Sequence, residues 1–182
     1  MTPLDIIFDH YDEGSALADA LIRHSEQVRD KALALAGNVP RLNPDLGFIA
    51  EAALLHDIGI YRTAAAKIGC HGRDPYICHG VIGREILEAY GWTDHALVCE
   101  RHVGVGITVE DIQTQGLPLP ERDMVPTTIE EIIICYADEF FSKTNGGREH
   151  SLYQVIDSLA RYGQDKVVRF KSWQELLDPM VA

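Results

Sequence analysis

Apolar residues recur at helical spacing along most of this chain, and no stretch alternates as a half-buried strand requires. From Ser15 to Ala36, the residues Leu17, Leu21, His24, Val28, Ala32 and Leu35 trace one stripe. That spacing predicts an amphipathic helix, stopped by Gly37. His24 lies inside the stripe. Asn43-Pro44-Asp45 predicts the next helix start, with Asn43 as N-cap and Pro44 at the first position. The segment from there to Leu55 is apolar on most faces, so it should be a central buried helix. Residues 59–75, with Gly69, Gly72 and Pro75, should form a loop or broken helix. Ile77 to Tyr90 predicts a helix ended at Gly91, and Thr93 should cap another that runs through His102. The segment 104–126 is broken by Gly104, Gly106, Gly116, Pro118, Pro120 and Pro126, which predicts a long irregular excursion of the kind used as a lid. Thr127-Thr128-Ile129-Glu130 reads as a capping box opening an apolar helix to Phe141. A turn at Asn145-Gly146-Gly147 and helices near 149–162 and 164–177 follow, the last packed by Trp173, Leu176 and Leu177. Residues 1–13 read as a short leading helix or ordered arm. The expectation is an all-α fold: one helical bundle over 1–182, with its core at about 15–145 and C-terminal helices over 149–178.

A length of 182 residues suits one domain with a substantial core, and 46% apolar residues argue against disorder. Sixteen Lys and Arg against 28 Asp and Glu give a formal charge of −12. Such a surface repels duplex nucleic acid and anionic membranes at long range. The partner expected on that ground is a small anionic molecule that meets positive charge locally, with no nucleic-acid polymer and no membrane. Asp5 and Asp9 stand where a secretory leader would be basic, and no apolar run approaches the ~18 residues of a membrane span. A cytoplasmic protein is expected, with room for a homodimer. Cys70, Cys78, Cys99 and Cys135 form no C-x-x-C and read as free thiols. Cys70-His71 and Cys78-His79 lack zinc-finger spacing.

His56-Asp57-Ile58-Gly59 closes the apolar run Glu51-Ala52-Ala53-Leu54-Leu55. Neighbours on a helix point about 100° apart, so a ligand pair at i and i+1 can hold one ion only from a helix end. Gly59 is the expected break. His24 upstream, and His79, His102 and Asp138 downstream, each stand in their own apolar segment. A single histidine on an apolar stripe is more often a hydrogen-bonded core residue than a ligand. Asp138 is harder to explain so, because a carboxylate buried between Ile134 and Phe141 without partner or metal would cost on the order of several kcal/mol. Imidazole and carboxylate without thiolate suit iron, manganese or zinc; cobalt, nickel or magnesium would also be accepted.

The ordered set His24, His56-Asp57, His79, His102 and Asp138 resembles the HD superfamily of metal-dependent phosphohydrolases, in its HDIG-type subgroup. Arg23-His24-Ser25, His79-Gly80-Val81-Ile82-Gly83, Glu100-Arg101-His102 and Tyr136-Ala137-Asp138 read like its signatures, and the similarity spans roughly residues 15 to 145. Many relatives carry lysine directly after the His-Asp-Ile-Gly stretch; here Ile60 stands there, with Arg62 two residues on. The resemblance implies an HD-type bundle holding a first metal on His24, His56, Asp57 and Asp138. It implies a second on His79 and His102, with Asp57 bridging and acting as the central catalytic group. Two divalent ions ~3.5–4 Å apart can make a nucleophilic hydroxide at neutral pH. The implied activity is hydrolysis of a small phosphorylated molecule or nucleotide, with Arg62, Arg101 and Lys143 as candidate anion contacts. The alternatives are a dinucleoside-tetraphosphate hydrolase, a di-iron oxygenase that cleaves a C–C or C–P bond, and a ligand sensor that retains the fold. His10, His95 and His150 read as surface residues, and His71 either touches substrate or does nothing. Gly104-Val105-Gly106 more simply turns the chain than cradles a phosphate, since no strand precedes it and no lysine follows.

Overall fold

A computed structural model describes residues 1–144 and 147–177 of the chain. Residue 178 and most of the turn expected at Asn145-Gly146-Gly147 lie outside the described residues. The fold is all-α, with nine α-helices among the described residues and one hairpin of two-residue strands.

α1 (Pro3–Phe8) opens on a capping box between Thr2 and Asp5. α2 (Ala16–Asn38) starts where the Ser15 side chain accepts the Ala18 N–H, and it runs through Gly37, where the sequence predicts a stop. Its inner face buries Ala18, Leu21, His24, Ser25, Val28 and Ala32. α3 (Leu46–Leu55) is capped by Asp45, whose side chain accepts the Phe48 N–H, and not by Asn43. Asn43 instead takes a left-handed conformation (φ 49°) that ends the short 3-10 turn Pro40–Leu42, a role asparagine tolerates better than most residues. His56 and Asp57 form the joint between α3 and a 3-10 turn over Ile58–Arg62. β1 (Ala64–Ala65) pairs antiparallel with β2 (Cys70–His71) within the expected loop.

α4 (His79–Ala89) and α5 (Thr93–Arg101) form a tight antiparallel pair. Thr93 is the first residue of α5 and not its cap. The 104–126 excursion is less irregular than its glycines and prolines suggest. It contains α6 (Val109–Gln115), opened by a Thr108–Asp111 capping box, and a backbone bridge from Ile107 to Met124. α7 (Ile129–Asp138) has its capping box at Thr128 and Glu131, one residue later than expected, and ends at Asp138 instead of Phe141. α8 (Leu152–Ala160) and α9 (Gln164–Leu177) complete the described chain.

The core has two main apolar clusters. One joins Val28, Ile49, Ile133 and Phe170 from α2, α3, α7 and α9; the other joins Ile6, Leu21, Leu55 and Leu87 from α1 to α4. Along α2 the first cluster ends at Val28 and the second at Leu21, and His24 stands between them. Close backbone contact positions the neighbouring elements. A Cβ on Gly59 would come within 2.2 Å of the His79 carbonyl oxygen and 2.6 Å of the Gly83 nitrogen. Gly59 therefore serves less as a helix break than as the gap that lets α4 reach the His56-Asp57 joint. Glu100, buried on α5, accepts from Arg84 at 2.5 Å and from Arg122 Nε at 2.9 Å, which fastens the far end of the excursion to the core. No helix of the described residues is long and apolar enough to cross a membrane.

Candidate metal centre

Six side chains from five segments converge. The ligand atoms of His24, His56, Asp57 and Asp138 lie within 4.8 Å of one another, and so do those of Asp57, His79 and His102. Asp57 belongs to both groups. Its Oδ2 is 3.2 Å from His24 Nε2 and 3.1 Å from His56 Nε2, while its Oδ1 is 3.4 Å from His79 Nε2 and 3.5 Å from His102 Nε2. Asp138, at the last position of α7, places Oδ1 2.9 Å from His24 Nε2 and 3.4 Å from His56 Nε2. Because His56 and Asp57 sit at the end of α3, where the helix gives way to a 3-10 turn, adjacent residues can face one point.

Three of the four histidines are oriented in one way. His56 Nδ1 lies 2.7 Å from the Ala53 carbonyl, His79 Nδ1 2.6 Å from the Tyr76 carbonyl, and His102 Nδ1 2.7 Å from the Cys99 carbonyl. A carbonyl only accepts, so each Nδ1 carries the proton and donates it, and each neutral ring keeps a lone pair at Nε2. Those lone pairs face carboxylate oxygens, which also only accept. The buried atoms His24 Nε2, His56 Nε2, Asp57 Oδ1 and Asp138 Oδ1 have no hydrogen-bond partner, while Asp57 Oδ2 meets the Lys143 ammonium. Acceptors that outnumber the donors among them suit a cation, and the ligand set of imidazole and carboxylate fits a divalent metal. The cluster can bind a metal.

Ionisation follows the same logic. Burial would raise the Asp57 carboxyl, yet the Lys143 ammonium and His56 outweigh it and hold the group well below the usual carboxylate range. Burial also opposes charge on His56, but Asp57 and Asp138 overcome it and push this histidine up to about 10. A proton can thus stand in for a metal at His56. His79 goes the other way, down to about 4, because burial, reinforced by His102 and Lys143, exceeds the pull of Asp57. His79 is therefore neutral near pH 7, the form in which an imidazole can offer a lone pair.

The cluster opens into a cleft of about 780 Å³ whose lining includes Asp57, His79, His102, Asp138 and Lys143. Of the three cations expected to meet an anion, only Lys143 lines it. Lys143 Nζ pairs with Asp57 Oδ2, with only a tenth of its side chain exposed. Arg62 is at the surface, 3.6 Å from Asp74 and 3.4 Å from Glu85. Arg101 turns to Thr127 at 2.9 Å and Glu131 at 2.7 Å. Sequence distance from the motif misled here, because the 3-10 turn after Asp57 carries Arg62 outward. The cleft also contains residues not singled out from sequence: Tyr76, stacked on His79 with ring centroids 4.7 Å apart; Tyr153 on α8; Lys67; and Glu139, pushed up to about 8 by burial and by Asp138. Of these, only Glu139 had a signal in the sequence, its place directly after Asp138. His150 lines the cleft too, whereas His71 is exposed in β2. His95 is half-buried between Phe48 and Trp92, with Nε2 3.4 Å from Glu51, and so is not solvated as expected.

The HD domain profile matches residues 21–142. The chain belongs to the HD domain family. It is 32% identical over 180 residues to a tRNA (cytidine(56)-2'-O)-methyltransferase of Thermoplasma volcanium, a match covering 98% of this chain and 46% of that protein. It is 37% identical over 161 residues to the protein of the same name from Picrophilus torridus, covering 87% and 42% respectively. An uncharacterized protein of Methanocaldococcus jannaschii is 38% identical over 130 residues, 70% of this chain and 69% of that one. No solved structure matches the chain. The chain thus spans less than half the length of the two methyltransferase-named relatives.

These relatives correct the expectation of function. They are named for transfer of a methyl group to RNA, which overturns the HD phosphohydrolase reading and favours neither the dinucleoside-tetraphosphate hydrolase nor the oxygenase alternative. The expectation of a small phosphorylated substrate and no nucleic-acid polymer falls with it. Net charge, a sum over the whole surface, does not describe one cleft, which is lined by Lys67, Lys143 and Arg161 together with Asp57, Asp138, Glu139 and Asp157.

Proposed function

We propose that this chain is a metal-binding HD unit of tRNA modification, with RNA as its partner. The observation that carries the reading is where the match falls. Relatives named as tRNA methyltransferases match along 98% and 87% of this chain, yet more than half of each relative lies outside the match. That remainder is long enough for a separate transferase unit, so the HD unit would accompany methyl transfer and engage the RNA.

His24, His56, Asp57 and Asp138 would hold one ion, and Asp57, His79 and His102 a second, with iron or manganese ahead of zinc for a donor set without thiolate. A bound divalent ion would polarise an oxygen ligand such as a ribose hydroxyl or a phosphate oxygen. Lys143, at the edge of the cluster, is the cation best placed to meet a backbone phosphate, and it displaces Arg62 and Arg101 from that role. Four free thiols and a tRNA partner suit the cytoplasm.

The test is metal analysis of protein purified without chelator, followed by mobility shift with a tRNA transcript and assay of label transfer from a methyl donor. The expected result is up to two transition-metal ions per chain, tRNA binding at about 50 mM salt that weakens steeply at higher salt, and no methyl transfer by this chain alone. A chain that holds no metal, or fails to shift tRNA at low salt, overturns the reading.

A further inference from the structure

Tyr153 is 78% exposed and Tyr76 39% exposed, and both line the cleft that opens on the metal cluster. Neither exposure follows from folding. α8 already packs through Val155 and Leu159, and Tyr153 makes no ring contact among the described residues. Tyr76 is fixed by stacking on the imidazole of His79, at an interplanar angle of 29°. Its backbone carbonyl takes the Nδ1 proton of the same histidine. One aromatic surface is thus held directly beside a metal ligand, and a second stands free on another wall of the same cleft.

The charges around these rings are graded. Asp57, Asp138, Glu139 and Asp157 also line the cleft; Lys143 is committed to Asp57, and Arg161 to Asp157 at 2.9 Å. Lys67 is exposed and has no ion pair among the described residues. A few cations beside two exposed rings in a concave cleft suit a single strand. Flat π-faces accept any base, and a few cations follow its backbone. A duplex would need a long basic stripe, for which the three cations of the cleft are too few, and its bases would be closed to the rings. The volume of about 780 Å³ is that of a site for one or two nucleotide units rather than for a helix.

We propose that this cleft takes unpaired nucleotides of an RNA strand, with bases stacked on Tyr153 and Tyr76 and backbone phosphate toward Lys67 and Lys143. This rests on the RNA partnership above and specifies which part of an RNA the chain reads. Tyr76 would place its base next to the metal ligands, whereas Tyr153 would hold a neighbouring base at the rim.

The experiment is fluorescence anisotropy of the metal-loaded full chain with an end-labelled oligoribonucleotide of about ten residues, as a single strand and annealed to its complement. The strand should bind at least about tenfold more tightly than the duplex. Tyr153→Ala and Tyr76→Ala should each weaken strand binding by about tenfold, while Tyr153→Phe and Tyr76→Phe keep most of it, because the ring face carries the contact. Tyr153 is exposed and is not one of the candidate ligands, so Tyr153→Ala should keep the wild-type metal content and melting curve. Strand binding unchanged in both alanine variants overturns the stacking assignment and leaves the RNA partner standing. Phenylalanine variants as weak as alanine overturn it too, in favour of a hydroxyl contact. Equal affinity for strand and duplex overturns the unpaired-nucleotide claim. A wild-type chain that binds neither form overturns the RNA reading itself.

Discussion

The imidazoles of His79 and His102 meet Nε2 to Nε2 at 3.1 Å, each turned inward by a backbone carbonyl three residues earlier that accepts from its Nδ1. Two lone pairs brought this close beside Asp57 Oδ1 repel unless a proton or a cation is shared among them. This arrangement suits chelation of one ion and sets the first prediction.

Asp57→Ala should remove metal from both groups, because Asp57 alone belongs to each. Metal content by mass spectrometry should fall below detection while far-ultraviolet circular dichroism stays helical. His79→Ala or His102→Ala should cost more than about a hundredfold in affinity for one ion and spare the other. Full retention of metal in Asp57→Ala would refute the shared-ligand arrangement.

Metal affinity should depend on pH through His56. In the metal-free chain this histidine rises to about 10, so it is protonated at neutral pH, and an ion must displace that proton. Affinity should therefore climb by about tenfold per pH unit between the ordinary histidine value and the raised one. The stability of the metal-free chain should show the converse. A raised histidine stabilises fully below its unfolded value of 6.5, and the contribution is lost as pH rises toward about 10. The depressed carboxyls of Asp57 and Asp138 stabilise above their ordinary 3.8 and lose that contribution as pH falls below it. Melting temperatures of chelated protein should peak between these limits. Calorimetric titration in buffers of different ionisation enthalpy should register the proton released on metal binding.

Gly59→Ala should be far more damaging than its size suggests. The new methyl would sit 2.2 Å from the His79 carbonyl oxygen, which is backbone and cannot swing aside. Separating the 3-10 turn from α4 should cost about 3 kcal/mol of stability by denaturant melting. It should also weaken the ion on His79 and His102 before the one on His24 and Asp138. An alanine variant as stable as wild type would show that the two backbones are not in contact.

Helix content was legible from periodicity, and most helix starts from their caps, because both are local in sequence. The misplaced ends have local causes as well. Asp45 outcompeted Asn43, and Thr128 outcompeted Thr127, where two capping residues stood within two positions of each other and only the packed geometry could choose. α6 was hidden because the glycines and prolines around it suggested an irregular excursion while its Thr108–Asp111 cap went unread.

The sequence by itself marked six ligand-type side chains in five apolar segments, because a charged or polar group repeated in apolar stripes needs a common partner. It also carried the His56-Asp57 joint that lets neighbours share one ion. Tertiary structure alone decided which cations face that ion. Lys143 reaches Asp57 because the chain folds back after α7, while Arg62 and Arg101 are drawn to Asp74, Glu85 and Glu131 instead. It alone placed Tyr76 and Tyr153, 77 residues apart in a chain of 182, on one cleft. Side-chain direction beyond the ends of a helix depends on long-range packing, which no local pattern of residues encodes.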